Sequence, residues 1–267
     1  MPLEEIINRQ GIIISAPASG AGKTTVTLGL INAFARKRSV QPFKSGPDYI
    51  DSKFQSVAAD RPSYNLDTWA MSSSDILNMI GMVGPSDICI AEGSMGLFDG
   101  VISKGAGGNG STADLASITN WPVILVVDCA KQAQSVAALI TGFNSFRHDI
   151  TIGGVILNNI SSKRHEALVV SEVSKTKVPI LGVIPRSNEL TIPERHLGLV
   201  QAEDLSDLEQ LIFKLGTLIE ENCDLEAIAC TARKSSPAIP TLQKITPPAQ
   251  RIAIARDNAF TFTYSHL

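Results

Sequence analysis

No two of the four cysteines, Cys89, Cys129, Cys223 and Cys230, are spaced as Cys-x-x-Cys, and the four histidines are scattered. Neither a zinc site nor a redox pair is therefore written in the chain. Cys89 and Cys129 fall in strand-like runs, where a thiol serves as a small apolar side chain. Positive charge is not in excess either: 23 Lys and Arg stand against 26 Asp and Glu, a net charge of −3. That balance leaves no basic field to hold nucleic acid or an anionic membrane. No apolar run approaches the roughly 20 residues of a membrane span. The acidic start, Met1-Pro2-Leu3-Glu4-Glu5, lacks the basic-then-apolar form of a signal peptide. Internal repeats are absent. What remains is the expectation of a cytoplasmic enzyme, with 267 residues enough for one substantial α/β core.

The most informative stretch is Gly11 to Thr25, in which Ile12-Ile13-Ile14 ends in small residues and leads into Gly22-Lys23-Thr24. This order reads as strand, phosphate-cradling loop and helix, the last from Thr25 to Arg36. Small residues let backbone N–H groups turn inward and approach phosphate oxygens closely. Ser19, Gly20, Ala21, Gly22, Lys23, Thr24 and Thr25 are the expected nucleotide-binding residues. Lys23 supplies a point charge for the β- and γ-phosphates, Thr24 a hydroxyl for Mg²⁺, and the helix its positive end. Pro17 stands where the usual Gly-x4-Gly-Lys-Thr pattern has its first glycine, leaving the loop entry with one N–H donor fewer.

Downstream, predicted strands alternate with predicted helices. Strands are expected at Val40–Lys44, Asp87–Ala91, Trp121–Val127, Gly153–Leu157 and Val178–Ile184. The intervening helices are expected at Asp75–Val83, Thr112–Thr119, Gln134–Phe143 and Arg164–Lys175, with a long one at Leu205–Asn222. The alternation specifies a mainly parallel sheet covered by helices on both faces. The apolar helices fit a homodimer interface and a sheet-covering role alike.

Ligand groups belong in loops that follow such strands. Lys44 to Asp51 holds one lysine and two carboxylates, Asp48 and Asp51, within eight residues, and is read as a loop, as is Arg61 to Asp67. Glu92, at the end of a strand and followed by glycines, is the strongest metal candidate after Thr24. Asp99 beside Gly100 fits a turn aspartate and a ligand contact equally, and so does Asn158 at its strand end. The glycine-dense run 105–110 fits a mobile lid and a plain linker alike. Residues 1–232 are expected to form one P-loop domain. The Pro- and Ser-rich stretch 233–250 reads as a linker, and Arg251 to Asp257 as the first strand of a further domain.

Four segments in this order, Lys44–Asp51, Arg61–Asp67, Glu92–Gly100 and Pro193–Leu199, resemble the cobyrinic acid a,c-diamide synthase family. The resemblance implies a P-loop NTPase-type, dethiobiotin synthetase-like synthetase domain followed by a class I glutamine amidotransferase domain. The nucleophilic cysteine and histidine of that second domain would lie beyond Leu267. It also implies ATP and Mg²⁺ as cofactors and a tetrapyrrole polycarboxylate as substrate, with ammonia delivered by the amidotransferase. By the same resemblance Lys23 and Lys44 meet the phosphates, and Thr24, Asp48 and Glu92 hold Mg²⁺. Asp51 and Asp99 lie on the acceptor side, and Asn158 faces the adenine. Arg61, Arg186, Arg195 and His196 are candidates for the macrocycle's carboxylates, since guanidinium binds carboxylate bidentately.

Other readings fit less well. A partition-type ATPase carries a second lysine five residues before Lys23, where this chain has Ala18. A GTPase carries Asn-Lys-x-Asp, which Asn158-Asn159-Ile160 does not supply. A dethiobiotin synthetase shares the carboxyl-activating theme, but the Glu92–Gly100 and Pro193–Leu199 stretches side with the amide-forming family.

Overall fold

Ile12, Ile13 and Ile14 are all fully buried, as a strand covered on both faces requires. In the computed structural model, which describes residues 8–187, 202, 205, 207–237, 246–255, 257 and 260–264, they lie in β1 (Gln10–Ser15). Ile12 and Ile14 join one core with Val26, Leu30 and Phe34. Ile13 joins another with Ile76, Trp121 and Leu125.

β4 (Ile88–Glu92) and β5 (Val123–Asp128) flank β1. Beyond β4 come β2 (Val40–Ser45) and β3 (Tyr64–Leu66), and beyond β5 come β6 (Ile152–Ile160) and β7 (Ile180–Pro185). All these neighbours pair in parallel. One core packs α1 (Lys23–Ala35), α2 (Asp51–Ala59), α7 (Leu208–Asn222) and α8 (Leu225–Thr231) on the sheet. The opposite core takes α3 (Ser73–Met82), α4 (Thr112–Thr119), α5 (Val136–Phe146) and α6 (Lys163–Val173). The mainly parallel sheet covered by helices on both faces is therefore the fold of this chain.

Several local expectations are corrected. α1 begins at Lys23 because Val26 N–H already donates to Gly22 O, two residues ahead of the predicted start. The loop after Lys44 ends at Ile50, and α2, a helix not among those expected, follows from Asp51. The Asp48 carboxylate accepts from Ile50 N–H and Asp51 N–H, capping the turn into the helix, while Phe54 and Ala58 bury one face. β3 sits inside Arg61–Asp67, where pairing with Phe43, Lys44 and Ser45 overrides a polar composition.

The glycine-dense run 105–110 is neither free lid nor slack linker. Ala106 and Gly107 donate to Trp69 O and Thr68 O, and a Cβ on Gly105 would strike the Trp69 backbone. At the predicted linker start, β8 (Arg233–Lys234) pairs antiparallel with Gln10 and Gly11, and Ser235 and Ser236 donate to Arg9 O and Thr119 O. Residues 251–255, predicted as a strand, are exposed and join no ladder among the described residues. An extended run without a pairing partner leaves its backbone to water.

Candidate nucleotide and acyl-activation site

The carboxyl ends of β1, β2 and β4 converge on one cluster of charge. Pairing in register brings Lys44 opposite Glu92, and Ile14 opposite the same Glu92. Side chains at paired positions of adjacent parallel strands point to the same face, so the lysine and the carboxylate meet beside the loop that leaves β1. Lys44 Nζ is 2.6 Å from Asp51 Oδ2, 3.2 Å from Glu92 Oε1 and 3.9 Å from Asp48 Oδ2. Burial works against the Lys44 ammonium, but Glu92, Asp51 and Asp48 outweigh it and hold the lysine above its ordinary range. Burial, joined by the Glu92 charge, pushes Asp51 up to about 7 against the pull of Lys44.

The phosphate loop is built from backbone. Gly20 and Gly22 adopt φ of 77° and 90°, and Gly22 precedes α1 with no side chain capping the helix. The first N–H groups of α1 are thus free of a side-chain cap, the arrangement that binds anions. Ser19 and Gly20 are exposed at the tip, Ala21 and Lys23 are buried, and Gly22, Thr24 and Thr25 are half-buried. Burial lowers the Lys23 ammonium, with Lys44 adding to the effect and Glu92, Asp51 and Asp99 opposing it. Thr24 Oγ1 donates to Glu92 Oε1 at 2.7 Å, and Glu92 is fully buried.

Loops from other strands brace this one. Leu97 N–H donates to Ala16 O, and Asp99 Oδ2 accepts from Gly96 N–H at 2.8 Å, so Asp99 closes its own turn next to the loop entry. Asn158, expected to face a base, is 7% exposed and donates its Nδ2 to Ala21 O at 3.0 Å. It therefore buttresses the phosphate loop from beneath. Tyr49, between the two aspartates of its loop, stacks on Tyr264 at 4.3 Å and Phe262 at 5.4 Å.

Lys23, Thr24, Lys44, Asp48, Asp51 and Glu92 are thus brought together. Arg61 is not: it donates to Ser39 Oγ and Pro85 O, at the amino ends of β2 and β4 and so at the opposite edge of the sheet. Arg186 lies exposed just past β7, its N–H donating to Ile160 O. Arg195, His196 and the Pro193–Leu199 motif lie outside the described residues. A cavity of about 1090 Å³ lies between α2, α7 and Phe260, Thr261, Thr263 and Tyr264; Tyr49 and Ser52 line it, and Lys23, Lys44 and Glu92 do not. The ionisable groups with perturbed titration, Lys23, Lys44 and Asp51, lie in the charge cluster, which is the candidate site.

One residue of the cluster gave no signal in the sequence. Gln55, fully buried on α2, donates to Glu92 Oε2 at 2.8 Å. A neutral amide in an unrecognised helix carries no motif; Asp48 three residues ahead of Asp51, followed by the Phe54 and Ala58 pair, would have signalled the helix.

Oxygen donors are what Mg²⁺ takes, and it binds through one or two carboxylates with phosphates and water completing the shell. The Thr24 hydroxyl and Glu92 carboxylate side by side at a phosphate loop fit it. Among the described residues no group of three or more His, Cys, Asp or Glu could by itself hold a metal. Burial pushes Cys89 up to about 11 and Cys129 up to about 12, keeping both thiols protonated. Among the described residues no helix is long and apolar enough to cross a membrane.

Comparison with known proteins places these features. The chain is 46% identical over 259 residues to a hydrogenobyrinate a,c-diamide synthase of Rhodobacter capsulatus, covering 97% of this chain and 59% of that protein. A hydrogenobyrinate a,c-diamide synthase of Brucella anthropi is 44% identical over 263 residues, with the same coverage. The chain thus spans 59% of the length of these curated relatives. Among solved structures, the MinC:MinD cell division protein complex of Aquifex aeolicus aligns with a TM-score of 0.48 at 15% identity, over 91% of this chain and 98% of that one. A family model described as the CobQ/CobB/MinD/ParA nucleotide binding domain matches residues 12–200, and the chain belongs to that family, CbiA.

Proposed function

We propose that this chain is the carboxyl-activating half of an amidoligase that converts acetate side chains of hydrogenobyrinic or cobyrinic acid to carboxamides, with ATP and Mg²⁺. The observation that carries the reading is that Glu92 Oε1 lies 2.7 Å from Thr24 Oγ1 and 3.2 Å from Lys44 Nζ beside the phosphate loop, with Asp51 2.6 Å from Lys44. The named relatives favour hydrogenobyrinate as acceptor and the a and c acetates as the groups amidated.

The chemistry suits residues that position and neutralise. Ammonia does not displace oxide from a carboxylate, because oxide is a poor leaving group. Attack of the carboxylate oxygen on the γ-phosphorus of ATP breaks the bond to ADP and leaves an acyl phosphate. The ammonia lone pair then adds to the carbonyl carbon, a proton is lost, and the carbon–oxygen bond breaks to release phosphate and the carboxamide. Lys23 and Lys44 offset charge on the transferring phosphoryl group. Thr24, Glu92 and Asp48 would hold Mg²⁺, which when bound would supply neutralising charge for the phosphate oxygens. Asp51 and Asp99 face the acceptor carboxylate and its intermediate. The local positive charge matters because the substrate is itself polycarboxylate and acidic side chains alone would repel it.

In this reading the synthetase domain runs through β8 and Ser236, which pack on the main sheet. Residues 237–250 lead to residues 251–267, which open the glutamine amidotransferase domain that delivers ammonia in the cytoplasm. Incubation with ATP, Mg²⁺, ammonium and either hydrogenobyrinate or cobyrinate, followed by mass spectrometry, tests the proposal. Conversion of two carboxyls to carboxamides is the expected result. No carboxamide on either macrocycle would overturn it.

A further inference from the structure

Both oxygens of the buried Glu92 carboxylate are occupied, and by different elements. Oε1 accepts from Thr24 and faces Lys44, while Oε2 accepts from the Gln55 amide. A carboxylate only accepts, so the amide must present Nε2 to it and turn Oε1 away. Ser63 Oγ donates to that Oε1 at 2.8 Å, which fixes the amide from behind. Ser63 is in turn anchored, its N–H donating to Ser56 Oγ at 2.9 Å, and Ser56 Oγ donating to Ser52 O at 2.7 Å. All of these groups are buried or half-buried, so solvent is poorly placed to substitute for a lost partner.

We infer that Gln55, oriented by Ser63, is a positioning residue that fixes the rotation of the Glu92 carboxylate so that Oε1 alone faces Thr24, Lys44 and the metal position. Rotation about the terminal bond of a glutamate is broad and weakly held. Without a donor on Oε2, the carboxylate is free to turn both oxygens to Lys44, drawing the lysine off the phosphates and the metal off its ligand. Partners of this outer kind fix ligand orientation and tune affinity in metal sites generally. The inference rests on the proposed metal role of Glu92.

The test uses Mn²⁺ as the probe, with free ion followed by electron paramagnetic resonance in the presence of ADP. Gln55→Leu is expected to weaken Mn²⁺ binding about tenfold or more. Ser63→Ala is expected to weaken it less, and Ser63→Thr, which keeps the hydroxyl, to restore it. ADP affinity in chelator stays at the wild-type value throughout. Gln55→Leu and Ser63→Ala proteins that melt normally and bind Mn²⁺ as wild type does would overturn the inference. Should the leucine variant fail to fold, the Ser63→Ala and Ser63→Thr pair decides alone. Wild-type protein that binds no Mn²⁺ with ADP would instead overturn the metal reading of Glu92, and this inference with it.

Discussion

Lys44 Nζ lies 2.6 Å from Asp51 Oδ2 and 3.2 Å from Glu92 Oε1, with its side chain 5% exposed. One ammonium thus compensates two carboxylates, of which Glu92 is out of reach of water and Asp51 is half-buried. Lys44→Met leaves Glu92 buried with Thr24 and Gln55 as its remaining partners, and removal of one member of such a pair costs about 3–5 kcal/mol. Denaturant unfolding at neutral pH measures the loss. A cost below about 1 kcal/mol, the scale of an exposed pair, would show that solvent reaches the cluster.

Glu92→Gln keeps the size of the side chain and removes its charge. Charge at this position matters most as the γ-phosphoryl group departs, so turnover is expected to fall about a hundredfold while ATP affinity changes little. Steady-state kinetics beside equilibrium ATP binding separates the two. Equal losses in both would give Glu92 a purely structural place.

Gly22→Ala addresses the loop itself. Its φ of 90° is in the left-handed region, and an added Cβ would strike Asn158 Nδ2. The strain is about 1–2 kcal/mol before the clash is counted, and relief requires the Asn158 to Ala21 bond to break. Nucleotide affinity is expected to drop about tenfold or more, by titration calorimetry. Wild-type affinity would mean that the loop tolerates another backbone path.

Strand, loop and first helix were legible because Ile12–Ile14 and Gly22-Lys23-Thr24 each carry a pattern that few other structures produce. Glu92 was legible by its place at a strand end. α2 and β3 were not read: in the nine residues of Asp51–Ala59, serine, lysine and glutamine leave the Phe54 and Ala58 spacing as the one apolar signal, and the three-residue β3 owes its form to pairing with β2. With α2 unseen, Gln55 could not be aimed at Glu92. Asn158 was given its adenine role by family resemblance, and its bond to Ala21 joins residues 137 apart, a relation no local pattern reports.

Asp51 makes stability depend on pH. Its folded value of about 7 lies above the unfolded value of about 3.9. The folded state therefore binds this proton more tightly, so the stabilisation is fully present below about pH 4 and is lost as pH rises through 7. Asp51→Asn removes the titrating group, and the decline in Tm over that window should be shallower in the variant. Parallel curves for the two proteins would place the titration elsewhere.

Transfer of the acceptor's own oxygen to phosphate is the step on which the account depends. A hydrogenobyrinate labelled with ¹⁸O in its carboxylates, incubated with ATP, Mg²⁺ and ammonium, reports it directly through the isotopic mass of the phosphate released. An acyl phosphate intermediate predicts one labelled oxygen in the phosphate for each carboxamide formed. Carboxamide accompanied by unlabelled phosphate would contradict carboxyl activation at the Lys23, Lys44 and Glu92 cluster.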